Sequence, residues 1–168
     1  MKLNLGSGAT PLKGYTNVDK YANSPGVDVV HDLDRTPWPF EPDSVDEIAM
    51  SQCLEHLEDC NRAMKEIHRI LKPGGILKVA VPHFTWQLAF TDPTHKHFFA
   101  YNTFFYYART PSYFDFAFSS CKVRLVFGKR LSVWNILLEP IFNLFPNAYE
   151  QSPLRMFPAL HVEAILAK

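Results

Sequence analysis

The sequence predicts an α/β fold built on a mostly parallel, twisted sheet of about seven strands, and three observations carry that expectation. Short runs rich in β-branched residues recur along the chain, each closed by Gly, Pro or Asp. A long amphipathic helix stands between two of them, which makes a βαβ unit and implies parallel strands. The 168 residues, 47% hydrophobic and 20% charged, suit one globular domain rather than a disordered or fibrous chain.

The first strand is Lys2 to Leu5, ending at Gly6-Ser7-Gly8. Tyr15 to Val18 ends at Asp19, and Val27 to His31 ends at Asp32. Val45 to Met50 ends at Ser51, and Ile76 to Val81 ends at Pro82. Between these last two, Leu54, Leu57, Cys60, Met64, Ile67 and Leu71 recur by threes and fours, so a helix is predicted over Gln52 to Leu71. Lys72-Pro73-Gly74-Gly75 supplies its stop.

The second half differs in texture. Fifteen of the 24 aromatic residues lie between Phe84 and Phe127. A helix is predicted over Thr94 to Ala108, a half-exposed strand over Cys121 to Phe127, a Pro140-kinked helix over Leu131 to Phe145, and a last strand over Leu160 to Leu166. No repeat or linker divides the chain, so one domain over 1–168 is expected, with residues 2–83 forming a ligand-binding half and 84–168 an aromatic cover.

Seventeen basic and seventeen acidic side chains cancel. That balance argues against nucleic acid or an anionic membrane as partner, because both need a positive field. The longest apolar stretch, Val133 to Phe145, is broken by Asn135, Glu139, Pro140 and Asn143 and does not suit a bilayer. Strand residues begin at Lys2, so no secretory leader is expected. Cys53, Cys60 and Cys121 are odd in number and lack a C-x-x-C pair, and read as reduced thiols in a cytoplasmic protein.

Gly6 and Gly8 follow the first strand at the edge where open parallel sheets bind ligands. The dinucleotide fingerprint needs a third glycine where Pro11 stands, and no lysine follows in phosphate-loop spacing, so a nicotinamide oxidoreductase is disfavoured. Asp19 and Asp32 end the next two strands on the same edge. Carboxylates there suit ribose hydroxyls and an adenine amino group, with Leu33 packing on the ring. Two acids would repel a pyrophosphate yet tolerate a cation, and an adenosine bearing a sulfonium has that sign. The plainer alternative is that these acids cap turns.

Leu3-Asn4-Leu5-Gly6-Ser7-Gly8, Asn17-Val18-Asp19, His31-Asp32-Leu33, Ser44-Val45-Asp46-Glu47-Ile48, Glu55-His56-Leu57 and Arg69-Ile70-Leu71-Lys72-Pro73-Gly74-Gly75 together resemble a compact, type 11-like class I S-adenosylmethionine-dependent methyltransferase. The resemblance covers about residues 2–83 and implies a Rossmann-like fold with S-adenosylmethionine as cofactor. By position it places Gly6, Ser7 and Gly8 at the methionine part, Asp19 at the ribose, Asp32 and Leu33 at adenine, and Ser51 and Gln52 near the sulfonium. One departure stands out. Six residues separate Gly8 from Tyr15, and Lys20 to Gly26 joins the next pair, so the helices between strands 1 and 2 and between strands 2 and 3 cannot fit. A parallel sheet does not tolerate an uncovered apolar face. The expected cover is Leu131 to Pro158, through Trp134, Leu137, Leu138, Ile141, Phe142, Phe145 and Phe157, or else a second subunit in a homodimer.

Methyl transfer to oxygen or nitrogen often needs a base, and His83, His95 and His97 are the candidates, since His83 follows the fifth strand and the others open the aromatic segment. The same residues with Asp92 have poor spacing for a metal, and none is expected. His56 reads as structural. The expected acceptor is a small molecule of unspecified class. The competing reading is a catalytically silent module of the same fold that binds cofactor or a protein partner.

Overall fold

The computed structural model describes residues 1–109, 112–128 and 134–168, with Trp134 described by its backbone. Seven strands form one sheet: β1 (Lys2–Leu5), β2 (Thr16–Asp19), β3 (Val29–Val30), β4 (Val45–Ser51), β5 (Leu71–Pro82), β6 (Ser120–Val126) and β7 (His161–Ala167). Their order is β3-β2-β1-β4-β5-β7-β6. The first five strands run parallel, and β7 lies antiparallel between β5 and β6. All seven strands overlap the expected runs, though β3 is cut to Val29–Val30 and β5 begins at Leu71, through the residues expected to stop the helix, and no helix joins β1 to β2 or β2 to β3.

The helix expected over Gln52 to Leu71 is divided. A single 3-10 turn covers Leu54–His56, Leu57 is extended, and α1 runs from Cys60 to Ile70. Asp59 makes the new start, its carboxylate accepting the Arg62 amide at 3.0 Å, which satisfies an otherwise orphaned helix-end donor. Ala63, Met64, Ile67 and Ile70 bury one face of α1 against the sheet. Trp38 lies beside it, its amide donating to Glu66 Oε2 at 2.9 Å and its indole to Leu33 O at 3.0 Å.

Side chains in register across strands share a face, and neighbours along a strand alternate. Leu3, Ile48, Leu77 and Leu166 share the buried face, followed by Leu5, Met50, Val79 and Ala164. The opposite face, which the two missing helices would otherwise cover, is polar. Lys2 and Lys78 pair with Glu47 there at 3.0 and 2.6 Å, the Tyr15 hydroxyl donates to Glu47, and Asn4 donates to Asn17 at 2.9 Å. Arg124 pairs with Glu163 farther along the same face at 2.7 Å. The premise of an apolar face needing cover is therefore corrected. Alternation of polar and apolar residues replaces the missing helices, and a second subunit meeting this face would meet ion pairs.

The segment expected to cover that face goes elsewhere. Leu131 lies outside the described residues, as does the Trp134 side chain. Helix α2 (Trp134–Leu144), with Pro140 inside it, leads into a short second helical stretch, Pro146–Gln151. Phe142 and Tyr149 pack on Phe127 of the buried face, with ring centroids 5.3 and 5.4 Å away. Asn143 brackets Leu125, its Oδ1 accepting from Leu125 N at 2.7 Å and its Nδ2 donating to Leu125 O at 2.8 Å, while Glu139 accepts the Phe127 amide at 2.9 Å. Leu138 is half-buried, whereas Leu137, Ile141, Phe145 and Phe157 remain exposed. Among the described residues no helix is long and apolar enough to cross a membrane.

The helix expected over Thr94 to Ala108 is also corrected. Residues 92–102 run as irregular chain, and only a 3-10 turn at Thr103–Phe105 and one helical turn at Tyr106–Arg109 form. Tertiary bonds hold the backbone extended: Lys96 N donates to Glu55 O at 2.8 Å, and Phe84 N to Phe99 O at 2.9 Å.

Candidate active site

A cleft of about 680 Å³ opens at the carboxyl ends of β1, β2 and β4. Its floor is the turn after β1. Gly6 and Ser7 both donate their amides to Val18 O, at 2.9 and 3.1 Å, which hooks the turn onto β2. Gly8 N donates to Asp19 Oδ2 at 2.8 Å. The two glycines serve different ends. Gly6 (φ 66°) lies against Cys53, so a Cβ would stand 2.3 Å from its sulfur, whereas a Cβ on Gly8 (φ 49°) would meet nothing within 4 Å. Gly6 is a packing glycine, and Gly8 is the open cradle a ligand can approach.

Asp19 is nearly buried and already engaged, for Oδ1 also accepts from Tyr21 N at 2.9 Å and from the Ser24 hydroxyl at 3.3 Å. Asp32 is more open, with one oxygen accepting the Asp34 amide at 3.1 Å, and Leu33 beside it is 7% exposed. Gln52, held at φ 51°, projects into the same space from the end of β4. The structure thus brings Gly6, Gly8, Asp19, Asp32, Leu33 and Gln52 together around one cleft. Ser7 and Ser51 do not line it. Ser7 is buried, its hydroxyl without a partner among the described residues, and Ser51 is exposed at the strand end.

Burial pushes the Cys53 thiol up to about 12, so no thiolate faces the cleft at neutral pH.

Charges of both signs line the cleft, Lys20 among them, and Arg35 pairs with Asp32 at 3.5 Å. Asp19, Asp32 and Asp34 line one side, and Lys96 at the rim is drawn to Glu58 at 2.7 Å.

The histidines are sorted by the fold. His83 has no exposed surface and does not line the cleft; Nε2 meets Glu150 Oε1 at 2.8 Å and Nδ1 meets Thr85 Oγ1 at 2.7 Å. His97 Nε2 donates to Leu57 O at 2.9 Å, outside the cleft. His95 lines a second cavity of about 440 Å³ with Trp86, Leu88, Asp92 and Gln52. His56, read as structural from sequence, lines both cavities and meets the His95 ring edge-on, centroids 4.7 Å apart. Glu55 is fully buried, and neither carboxylate oxygen completes a hydrogen bond among the described residues. Burial pushes its carboxyl up to about 7, against the pull of nearby backbone amides and of His95. Sequence reasoning missed Glu55, Cys53 and Tyr21. Glu55-His56 was visible as a motif, but its burial was not.

Residues 13–79 match the methyltransferase-domain family. An S-adenosylmethionine-dependent methyltransferase of Archaeoglobus fulgidus superposes over 99% of this chain and 85% of its own, with TM-score 0.69 and 15% identity. The chain has the class I methyltransferase fold. A Thermotoga maritima S-adenosylmethionine-dependent methyltransferase, described as a possible histamine N-methyltransferase, shares that fold over 99% of this chain and 81% of its own, with TM-score 0.60 and 20% identity. In sequence, 54 residues are 35% identical to a demethylmenaquinone methyltransferase of Streptomyces avermitilis, spanning 32% of this chain and 23% of that relative. The methyltransferase fold places the glycine turn, Asp19 and Asp32 at the sheet edge where such folds bind ligands.

Proposed function

We propose that this chain is an S-adenosylmethionine-dependent methyltransferase acting on an oxygen or nitrogen of a small-molecule acceptor. The observation that carries the reading is the Gly8 cradle, tied to Asp19 and opening onto a cleft with Asp32, Leu33 and Gln52 on its walls. Gly8 and Gln52 would hold the methionine part, Asp19 the ribose side, and Asp32 with Leu33 the adenine. The bound cofactor supplies an electrophilic methyl group on a sulfonium. The chain's part is to hold that group beside an aligned nucleophile and keep competing water out.

The second cavity is the acceptor's place, because it adjoins the cofactor cleft through Gln52 and His56. His95 and His56, rather than His83 or His97, are the histidines that border that place. The printed names of one relative and one neighbour, a demethylmenaquinone methyltransferase and a possible histamine N-methyltransferase, support a small-molecule acceptor.

The test is calorimetric titration of S-adenosylhomocysteine into wild type and Asp19→Ala. Saturable binding that the substitution weakens supports the reading. No binding to wild type overturns it and leaves the silent module, a view helped by Asp19 already being engaged by three protein donors.

A further inference from the structure

We infer that Glu55, His56 and His95 form a divalent metal site of the two-histidine, one-carboxylate kind, placed to hold an acceptor oxygen beside the cofactor cleft. Each residue offers one ligand atom, and the three atoms lie within 4.8 Å of one another. Ligands about 2.0–2.2 Å from one ion stand roughly 3–3.5 Å apart, so rotamer adjustments on the order of an ångström close the set.

The hydrogen bonds around the histidines set the tautomers such a site needs. The Thr94 hydroxyl donates its proton to Asp92 Oδ1 at 2.6 Å. Thr94 Oγ1 must therefore accept from His56 Nδ1 across their 2.8 Å contact, which leaves the lone pair on His56 Nε2. His95 Nδ1 lies 3.1 Å from Ala89 O, a pure acceptor, so Nδ1 carries a proton and Nε2 is the nitrogen turned toward the other ligands. Two imidazoles, each oriented through its Nδ1 by an outer partner, are the arrangement metal-bound histidines adopt.

Glu55 is the independent observation. Both of its oxygens are buried and unpartnered among the described residues, a costly state that a cation relieves. Asp92, whose Oδ2 lies 3.9 Å from His95 Nε2, adds a second negative charge at the rim. Three protein ligands leave positions open, as in sites that bind a reacting group rather than brace a fold. The neighbouring cavity, lined by Trp86 and Leu88, is where those open positions would receive an acceptor hydroxyl or carboxylate. The metal site stands on its own ligands; its role in positioning an acceptor rests on the methyltransferase reading.

The experiment uses chelator-treated protein without cofactor. Co²⁺ binding is followed by visible absorption and Zn²⁺ binding by calorimetry. One ion per chain is expected, with Glu55→Gln and His95→Ala each weakening binding about tenfold or more and His97→Ala leaving it unchanged. Thermal melts of the variants check that they fold. An observation on wild type needs no variant: the His56 and His95 imidazole signals should shift with Zn²⁺ while those of His97 stay in place. No binding by wild type, or binding that shifts neither His56 nor His95, overturns the site. Titration of S-adenosylhomocysteine is read separately, so metal binding without it would retain the site and remove the methyltransferase reading.

Discussion

The Gly8 amide donates to Asp19 Oδ2 at 2.8 Å, so the acid that ends one strand holds the turn that ends its neighbour. A single carboxylate thereby shapes the cradle and closes the start of the next loop through Tyr21 and Ser24.

Replacing Asp19 with alanine strands those donors. Hydrogen bonds to a charged group contribute about 1.5–3 kcal/mol, so affinity for S-adenosylhomocysteine should fall roughly 10- to 150-fold. Asp19→Asn keeps an acceptor for one donor and should lose less. Calorimetry on the two variants gives the order, and equal losses would count against a role for charge.

The two glycines of the turn should fail differently. Gly6→Ala drives a methyl into Cys53, and overpacking of this kind costs about 1–3 kcal/mol of stability. Adding Cys53→Gly should recover part of that loss in denaturant unfolding. Gly8→Ala meets no neighbour, so its stability loss should be about 1–2 kcal/mol of backbone strain, with the larger effect on cofactor affinity.

His83 is predicted to be structural. Alanine there leaves Glu150 without its histidine partner, although Tyr101 N still donates to Glu150 Oε1 at 2.6 Å. Thermal unfolding should show a loss of about 2–4 kcal/mol. S-adenosylhomocysteine affinity should stay within twofold. A stable His83→Ala protein with abolished methyl transfer would return His83 to the chemistry.

The ion-paired face sets part of the acid limb of stability. Lys78, Tyr15 and Lys2 hold the Glu47 carboxyl down at about 2, below its usual value near 4.5. A depressed carboxyl contributes stability above its unfolded pKa, and that contribution disappears as pH falls through the folded value. Half-exposed lysines reduce it to about 1–2 kcal/mol at neutral pH. Glu47→Gln should therefore be less stable than wild type at pH 7, and the two unfolding curves should converge near pH 2.

The strands and the cofactor edge were legible because both depend on local pattern. β-Branched runs closed by Asp or Gly need no distant partner to be read, and Gly6, Gly8, Asp19 and Asp32 sit at strand ends by order alone. The second cavity and the chain around it were not legible. Thr94 to Ala108 has helical composition, yet Lys96 and Phe99 bond to Glu55 and Phe84 across the fold, and those bonds outweigh propensity. Asp59 divides the long helix by capping from a position the apolar spacing runs straight through. Glu55 looks solvent-facing in any one-dimensional reading, yet it is fully buried in the fold. The polar sheet face was present in the alternation of Ile76-Leu77-Lys78-Val79, but an expectation drawn from fully covered parallel sheets passed over it.

Asn143 and Glu139, by taking up Leu125 and Phe127 along β6, also affect how the protein behaves at high concentration. An outer strand with vacant amides is a template on which another chain can extend the sheet. At Leu125 and Phe127 the template is already occupied from within the chain, and at the sheet's other edge β3 offers only two residues. Growth of the sheet into fibres is blocked at Leu125–Phe127 and given little purchase at Val29–Val30, and Asn143→Ala is the change that would begin to reopen it.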